Sequence, residues 1–525
     1  MRRRQMMAGM AAGLAAPSVV GAQGAQILRF VPSVDLTVTD PIYGTSFTTR
    51  NHVAMVFDTL YGVDEQMRAH PQMAAGHVVE NDGLTWRITL RDGLRFHDGE
   101  PVLARDCIAS LQRWGRRDTF GSTLFATTNE VVAESDKVIV WRLKRPFRML
   151  PDALGKMLTN VPVIMPARLA QTDPYRATPE IIGSGPYRFL AAEHNLGHRA
   201  AYAKFDRYVP RPDGPPSAFA GPKVAHFDRV EWMTMPDPST AAAALAKGEI
   251  DWWLSPTSDH IPSLRRNTAL KVDVIDPYGS VGMIRFNFLH APFSDPAVRR
   301  AALAATRQSD VMSAMIGTDS SFWRLPAGFF TPGSPMASDA GMEALRDPPN
   351  LDRARQMLKA SSYNGETLVL LVEATAQVIA NQGAVMADAF AKIGFNVDYQ
   401  SLDTAAADQR IRNKGPTAQG GWSAYSNTTT GLAASNPAAH GFLRGHGEQA
   451  IWGWPTLPKL EELRNAWFDA PDEAAQQEIC RQIQLHAFDT VPYVPTGVYV
   501  SPTAYRANLV DMRRGIAQFY GVRRA

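Results

Sequence analysis

The sequence predicts an α/β protein with several lobes, and three observations carry that reading. Residues 367–372 pattern as a strand, 377–393 as a long amphipathic helix and 394–399 as a further strand. That β-α-β order fits a mainly parallel sheet. Residues 84–90, Leu-Thr-Trp-Arg-Ile-Thr-Leu, alternate strictly between apolar and polar, as a half-buried strand does. The chain is also long, at 525 residues with 45% hydrophobic and 20% charged side chains. At about 100–200 residues per domain this is enough for two to four units with ample core.

The other elements follow in chain order. Residues 27–38 open with strand-like alternation around Pro32, and 40–46 form a turn-rich loop. Val53, Val56, Phe57 and Leu60 recur at helical spacing across 48–60. Turns at Arg91-Asp92-Gly93 and Phe96-His97-Asp98-Gly99-Glu100-Pro101 precede an amphipathic helix at 103–114 and a strand at 137–143. Gly183-Ser184-Gly185-Pro186 is a tight turn before a short strand at 187–190. The Pro-rich stretch 210–222 is an exposed loop. An Ala-rich helix at 239–247 stops at Gly248, a C-terminal cap, before a strand at 249–254. A strand at 281–288 precedes a helix at 296–304 with Asp295 as N-cap. Helices are expected at 351–360, 457–468 and 474–488, and Pro492 and Pro495 break the chain before its final segment.

Composition excludes several classes. Gly and Pro, 39 and 37 in number, are spread along the chain rather than clustered, so no low-complexity linker is expected. The net charge of +3 comes from 54 Lys+Arg against 51 Asp+Glu, and Arg2, Arg3 and Arg4 account for the excess. No basic stripe suggests nucleic acid. Residues 1–25 have the order of a secretory signal: a basic start, an apolar run at 6–16, Pro17 and small residues, with cleavage expected near 22–25. The apolar run is shorter than the ~20 residues that span a bilayer. Arg3-Arg4-Gln5-Met6-Met7 resembles a twin-arginine pattern, and an ordinary Sec signal with an extra Arg fits equally well. The mature protein is expected in the periplasm. Cys107 and Cys480, the only two cysteines, read as separate buried thiols rather than a bridge.

Catalytic motifs are absent. The chain has no G-x-x-x-x-G-K-[ST], no H-E-x-x-H and no G-x-S-x-G. Residues 445–450 scan as G-x-G-x-x-A, but no apolar strand precedes them. His194 and His198 are spaced as ligands on one helix face could be, yet Asn195 and Gly197 make a turn and no carboxylate completes a set. No metal or cofactor site is expected. The positive signal is a different one. Aromatic residues stand among amides and hydroxyls in segments that read as loops: Tyr43, Thr45 and Ser46 with Arg50 following, Trp252, and Trp422, Tyr425 and Asn427 within 420–429. Aromatic walls with a few polar groups suit a small-molecule cleft. Each residue taken singly also fits a core role.

Three segments together resemble the extracytoplasmic solute-binding proteins of ABC transporters in the peptide and nickel class, family 5. The first runs Leu84-Thr85-Trp86-Arg87-Ile88-Thr89-Leu90-Arg91-Asp92-Gly93, then Phe96-His97-Asp98-Gly99-Glu100-Pro101, then a helix through Cys107. The second is Gly183-Ser184-Gly185-Pro186-Tyr187. The third is Asn287 followed by Pro292-Phe293-Ser294-Asp295-Pro296-Ala297-Val298-Arg299-Arg300-Ala301.

The resemblance implies a two-lobed periplasmic-binding-protein fold of class II that closes like a hinge. The first lobe would hold 26–45, 183–275 and 491–525, with an extra subdomain at 46–182, and the second lobe 280–490. It implies a monomeric receptor, not an enzyme, that captures a small-molecule or peptide ligand and hands it to an ABC permease/ATPase complex. His97 and Asp98 would then fix a turn. Dipeptide-binding members place an Asp after the Gly-Trp segment and an Arg before the long helix of the second lobe. Here 422–427 has no acid and 370–377 no Arg. An ammonium group buried there would lack its counter-ion, so weak dipeptide binding is expected, and a longer peptide, an opine-like solute or a metal chelate stay open. An exported hydrolase using a carboxylate pair and a periplasmic peptide chaperone are the competing readings.

Overall fold

The computed structural model describes residues 26–525 apart from 159 and 346, and the expected leader at 1–25 lies outside them. Two large sheets organise the chain. In the first, of seven strands, Ile27–Val31 lies between Arg229–Met233 and Trp252–Trp253 and runs parallel to both. Arg199–Lys204 and Tyr187–Phe189 extend it on one side, Thr503–Arg506 and Leu270–Asp273 on the other, all by antiparallel pairing. The crossover from Arg229–Met233 to Trp252–Trp253 is the helix Pro238–Lys247. Its N-cap Asp237 accepts from the Thr240 N–H, and Gly248 ends it at φ 79°, where a side chain would be strained. Phe30 anchors the core beneath, with Trp232, Trp252 and Phe519 ring centroids at 5.4, 5.0 and 4.9 Å.

The second sheet has six strands in the order Trp323–Arg324, Tyr493–Tyr499, Ser280–Phe286, Ala424–Thr430, Thr367–Glu373 and Asn396–Leu402. Thr367–Glu373 pairs parallel with Asn396–Leu402, through the helix Gln377–Ile393, as the β-α-β pattern predicts. Two expectations change here. Residues 424–430 are not a loop but a strand paired on both sides, antiparallel to Ser280–Phe286 and parallel to Thr367–Glu373. Its Tyr and Thr residues have the β preference that the preceding glycines obscured. Pro492 and Pro495 do not end the regular structure either, since Tyr493–Tyr499 pairs with Ser280–Phe286. Pro495 falls where the register shifts between Gly282 and Met283, a bulge at which its missing N–H breaks no ladder bond. The chain therefore returns to the first sheet after Tyr499, not at 491.

A smaller antiparallel sheet of Ala74–Glu80, Thr85–Leu90, Val138–Leu143 and Thr128–Ala133 carries the helices Ala104–Gly115 and Thr119–Thr127. Cys107, on the first of these helices, and Cys480 are buried free thiols. The first two sequence motifs meet at His97. Its Nδ1 accepts from the Gly183 N–H at 3.3 Å and its Nε2 reaches the Gly185 carbonyl at 3.0 Å. Burial pushes His97 down to about 4, so the ring is neutral at physiological pH and serves as a fixed donor–acceptor bridge. Gly183 and Gly185 are required, because a Cβ on either would fall 1.9 Å from the Val56 carbonyl oxygen or 2.6 Å from that of Met55. Among the described residues no helix is long and apolar enough to cross a membrane.

Candidate ligand cleft

A cavity of about 530 Å3 opens where three parts of the chain converge. The smaller sheet's region contributes the tight hairpin of Tyr61–Val63 and Ala69–Pro71 and the helix Leu150–Gly155 with the residues after it. The first sheet's side contributes Phe219, Tyr278 and Arg514 from loops. The second contributes Met336, the 432–439 segment, Trp467 and the start of the helix Glu473–Thr490. The walls are mostly apolar and include Met67, Met149, Met157 and Met336, whose unbranched side chains can repack around differently shaped solutes. Beside the cavity the two sides touch directly. Phe147 stacks on Phe468 at 5.9 Å and 23°, Phe120 meets Phe468 at 6.0 Å, and Arg145 pairs with Asp469.

The charged groups on the wall are unevenly matched. Asp64 is held by Arg68 at 3.3 Å and by His70 at 2.8 Å. Lys156 is taken by Asp118. Asp152, half-buried in the first turn of Leu150–Gly155, forms no ion pair among the described residues. Burial pushes its carboxyl up to about 6. Among the described residues the Glu473 side chain accepts only from Gln477, its neighbour one turn on.

None of the eight residues singled out in the sequence lines this cavity. Trp252 is core: it is 1% exposed, packs on Phe30 and Phe519, and donates its indole N–H to Thr503 Oγ1 at 2.6 Å. Trp422, also 1% exposed, is core in the second sheet's region. Its Nε1 donates to the Ile411 carbonyl at 3.1 Å, its own carbonyl accepts from Asn287 of the third motif at 2.9 Å, and its ring meets Trp454. Tyr425 stands edge-on to Trp422 at 5.2 Å and is buried under the same layer. Asn427 is half-buried mid-strand, its carbonyl accepting from Gln382. Tyr425 lies near the start of the strand Ala424–Thr430, and the cavity segment begins beyond its far end at Leu432.

The first-lobe candidates cluster at one helix start. Ser46 caps Phe47–Val56 by accepting from the Thr49 N–H at 3.0 Å, and Tyr43 and Phe47 are exposed beside it. Arg50, 5% exposed, lies with its guanidinium 5.0 Å from the Phe47 ring centroid. Its Nε and Nη1 are buried without hydrogen-bond partners, and no acid pairs with it among the described residues. Burial pulls it down to about 10, against the charge of Asp276. Asp276 opens the 276–279 loop, accepting from the Tyr278 and Gly279 N–H groups, and Tyr278 lines the cavity. The cavity residues themselves, Asp152 and Trp467 among them, carry no local signal, since each comes from a separate segment and only the fold brings them together.

Comparison with known proteins gives a consistent picture. A sequence model described as bacterial extracellular solute-binding proteins, family 5 middle, matches residues 68–439. A probable peptide ABC transporter periplasmic-binding protein, y4tO of Sinorhizobium fredii, is 31% identical over 522 residues, covering 97% of each chain. In fold, the chain matches the periplasmic binding protein DppA of Helicobacter pylori in complex with the peptide STSA. The TM-score is 0.77 at 19% identity, over 95% of this chain and 98% of that one. It also matches the binding protein AgaA of A. tumefaciens R10 in complex with agropinic acid, at TM-score 0.76 and 19% identity over 95% and 99%.

Proposed function

The chain belongs to the bacterial extracellular solute-binding proteins of family 5, and we propose that it takes a peptide-like or other small polar organic solute into the cleft described above. It is a solute-binding receptor of an ABC importer with the two-lobed α/β fold of periplasmic binding proteins. The observation that carries the ligand reading is the cavity of about 530 Å3 at the convergence of three chain segments. Pockets for small molecules hold about 300–1,000 Å3 and are mostly apolar with a few polar groups. The proposed partner is the permease/ATPase complex of the inner membrane, met by a monomer whose signal peptide is cleaved near 22–25.

The mechanism is closure. In the proposed division, the first lobe with its subdomain and the second lobe turn about segments that include 276–279. The closed cleft binds better, so solute shifts the open–closed balance. The Phe147–Phe468 and Arg145–Asp469 contacts join the two sides beside the cavity, and in the proposed mechanism they belong to the closed form. Arg50 lies outside the cavity wall, beside the 276–279 loop whose Tyr278 lines it; buried and without an acceptor among the described residues, it is the proposed receiver of a solute carboxylate that reaches past that loop, for which a guanidinium is suited by its forked donors. The family relatives named as binding proteins lend no support to a hydrolase.

Native protein purified without refolding and analysed by mass spectrometry should release a bound solute of this class. Re-adding that solute at a hundredfold excess over Kd should stabilise the protein by about 2.7 kcal/mol. The radius of gyration by X-ray scattering should fall on binding. A protein that retains nothing and is stabilised by no peptide or organic acid contradicts the reading.

A further inference from the structure

We propose that Asp152 is the counter-ion for an ammonium group of the captured solute, so that the cleft selects amine-bearing ligands. The inference deepens the receptor reading and rests on the cavity being the ligand site. Asp152 lines that cavity from the helix Leu150–Gly155. The other charges of the wall are accounted for differently. Asp64 is held by Arg68 and His70, Lys156 is engaged by Asp118, and Glu65, Glu473 and Arg514 are exposed to solvent. Asp152 has no such partner among the described residues, and Met149, Met157 and Met336 surround the same cavity with apolar surface. A carboxylate facing a largely apolar cavity without a cation is poorly compensated until a cation arrives, whereas a charged pair formed there is stronger than in water.

The sequence raised the opposite expectation. No formal charge lies between 415 and 441, so an ammonium group near Trp422 would have no counter-ion. The fold moves the site away from Trp422 and supplies the acid from a different part of the chain. Asp152 keeps a local role as well, since an acid in the first turn of a helix is favourable. Asn retains that compatibility while losing the charge, which makes Asp152→Asn a mild substitution for the fold.

Calorimetry with trialanine and with its des-amino analogue, propionyl-Ala-Ala, tests the proposal on the full mature chain. Unmodified protein should bind trialanine at least tenfold more tightly than the analogue. Asp152→Asn should weaken trialanine by a similar factor and remove the discrimination. Equal binding of the two compounds by the unmodified protein, or trialanine binding unchanged in Asp152→Asn, refutes the anchor and leaves the receptor reading standing. If neither compound binds, the solute retained by native protein decides. An amine-bearing solute weakened at least tenfold by Asp152→Asn supports the anchor, and a solute without an amine overturns it. A protein that retains no solute overturns both readings together.

Discussion

Arg113 and Arg50 are both buried arginines beside the loop that follows the first strand, and they are treated in opposite ways. Arg113 makes a two-point contact with Asp40, Nη1 to Oδ1 at 3.2 Å and Nη2 to Oδ2 at 3.0 Å, and adds the Thr172 and Arg176 carbonyls. Asp40 is itself filled by the N–H groups of Ile42, Tyr43 and Thr178. Burial would raise the Asp40 carboxyl, but the hydrogen bonds and charge of Arg113 hold it below the ordinary carboxylate value. Arg50 has none of this. Arg285 shows that an acid is not the only answer: fully buried and also pulled down to about 10 by burial, it is held by four backbone carbonyls. A saturated buried charge is a structural brace. One left with open donors beside a loop leading to the cleft fits a binding role.

Breaking the brace should have the largest effect. Arg113→Met leaves the Asp40 carboxylate buried and uncompensated, and urea unfolding should show a loss of about 3–5 kcal/mol. Trp422→Ala removes another saturated core group, with its N–H bonded to the Ile411 carbonyl. It should also cost about 3–5 kcal/mol of stability, whereas a cleft-lining Trp422 would lose affinity with the fold intact, and a thermal melt distinguishes the two. Arg50→Met should behave in reverse. Stability should hold or rise, by up to about 4 kcal/mol, while calorimetry shows Kd for a carboxylate-bearing solute raised at least tenfold; an unchanged Kd would return Arg50 to a structural role. The smallest effect is expected at the contact between the two sides. Phe468→Leu keeps most of the buried area but removes the ring contacts with Phe147 and Phe120, aromatic pairs being worth about 0.5–1.5 kcal/mol beyond their area, so solute affinity should fall roughly tenfold, with the radius of gyration of the bound form moving toward that of the free form.

Local pattern made much of this molecule legible. The helices Pro296–Ala304 and Gln377–Ile393 stand where periodicity and the Asp295 cap put them. The strand Thr85–Leu90 follows its alternation, and His97 is a turn-fixing residue. Misreadings arose where a local cue had two meanings. Glycines before Trp422 signalled a loop, yet Ala424–Thr430 is a central strand, and its polar Ser426 is satisfied by the Gln382 side chain and the Ile379 carbonyl. Aromatic residues amid hydroxyls suggested a cleft lining, but the same hydroxyls and carbonyls serve buried indoles, as Thr503 serves Trp252.

What the sequence determined by itself was many of the helices and strands, the α/β class and the family, because these depend on periodicity, caps and turn residues that act over a few positions. The candidate cleft was decided by tertiary structure alone. Its wall joins Met67, Asp152, Tyr278, Met336 and Trp467 from five distant segments. Whether an acid or an arginine there is a brace or an open binding group depends on which partners the fold brings within hydrogen-bonding distance. That distance is set by packing across the two sheets, and no local run of residues encodes it.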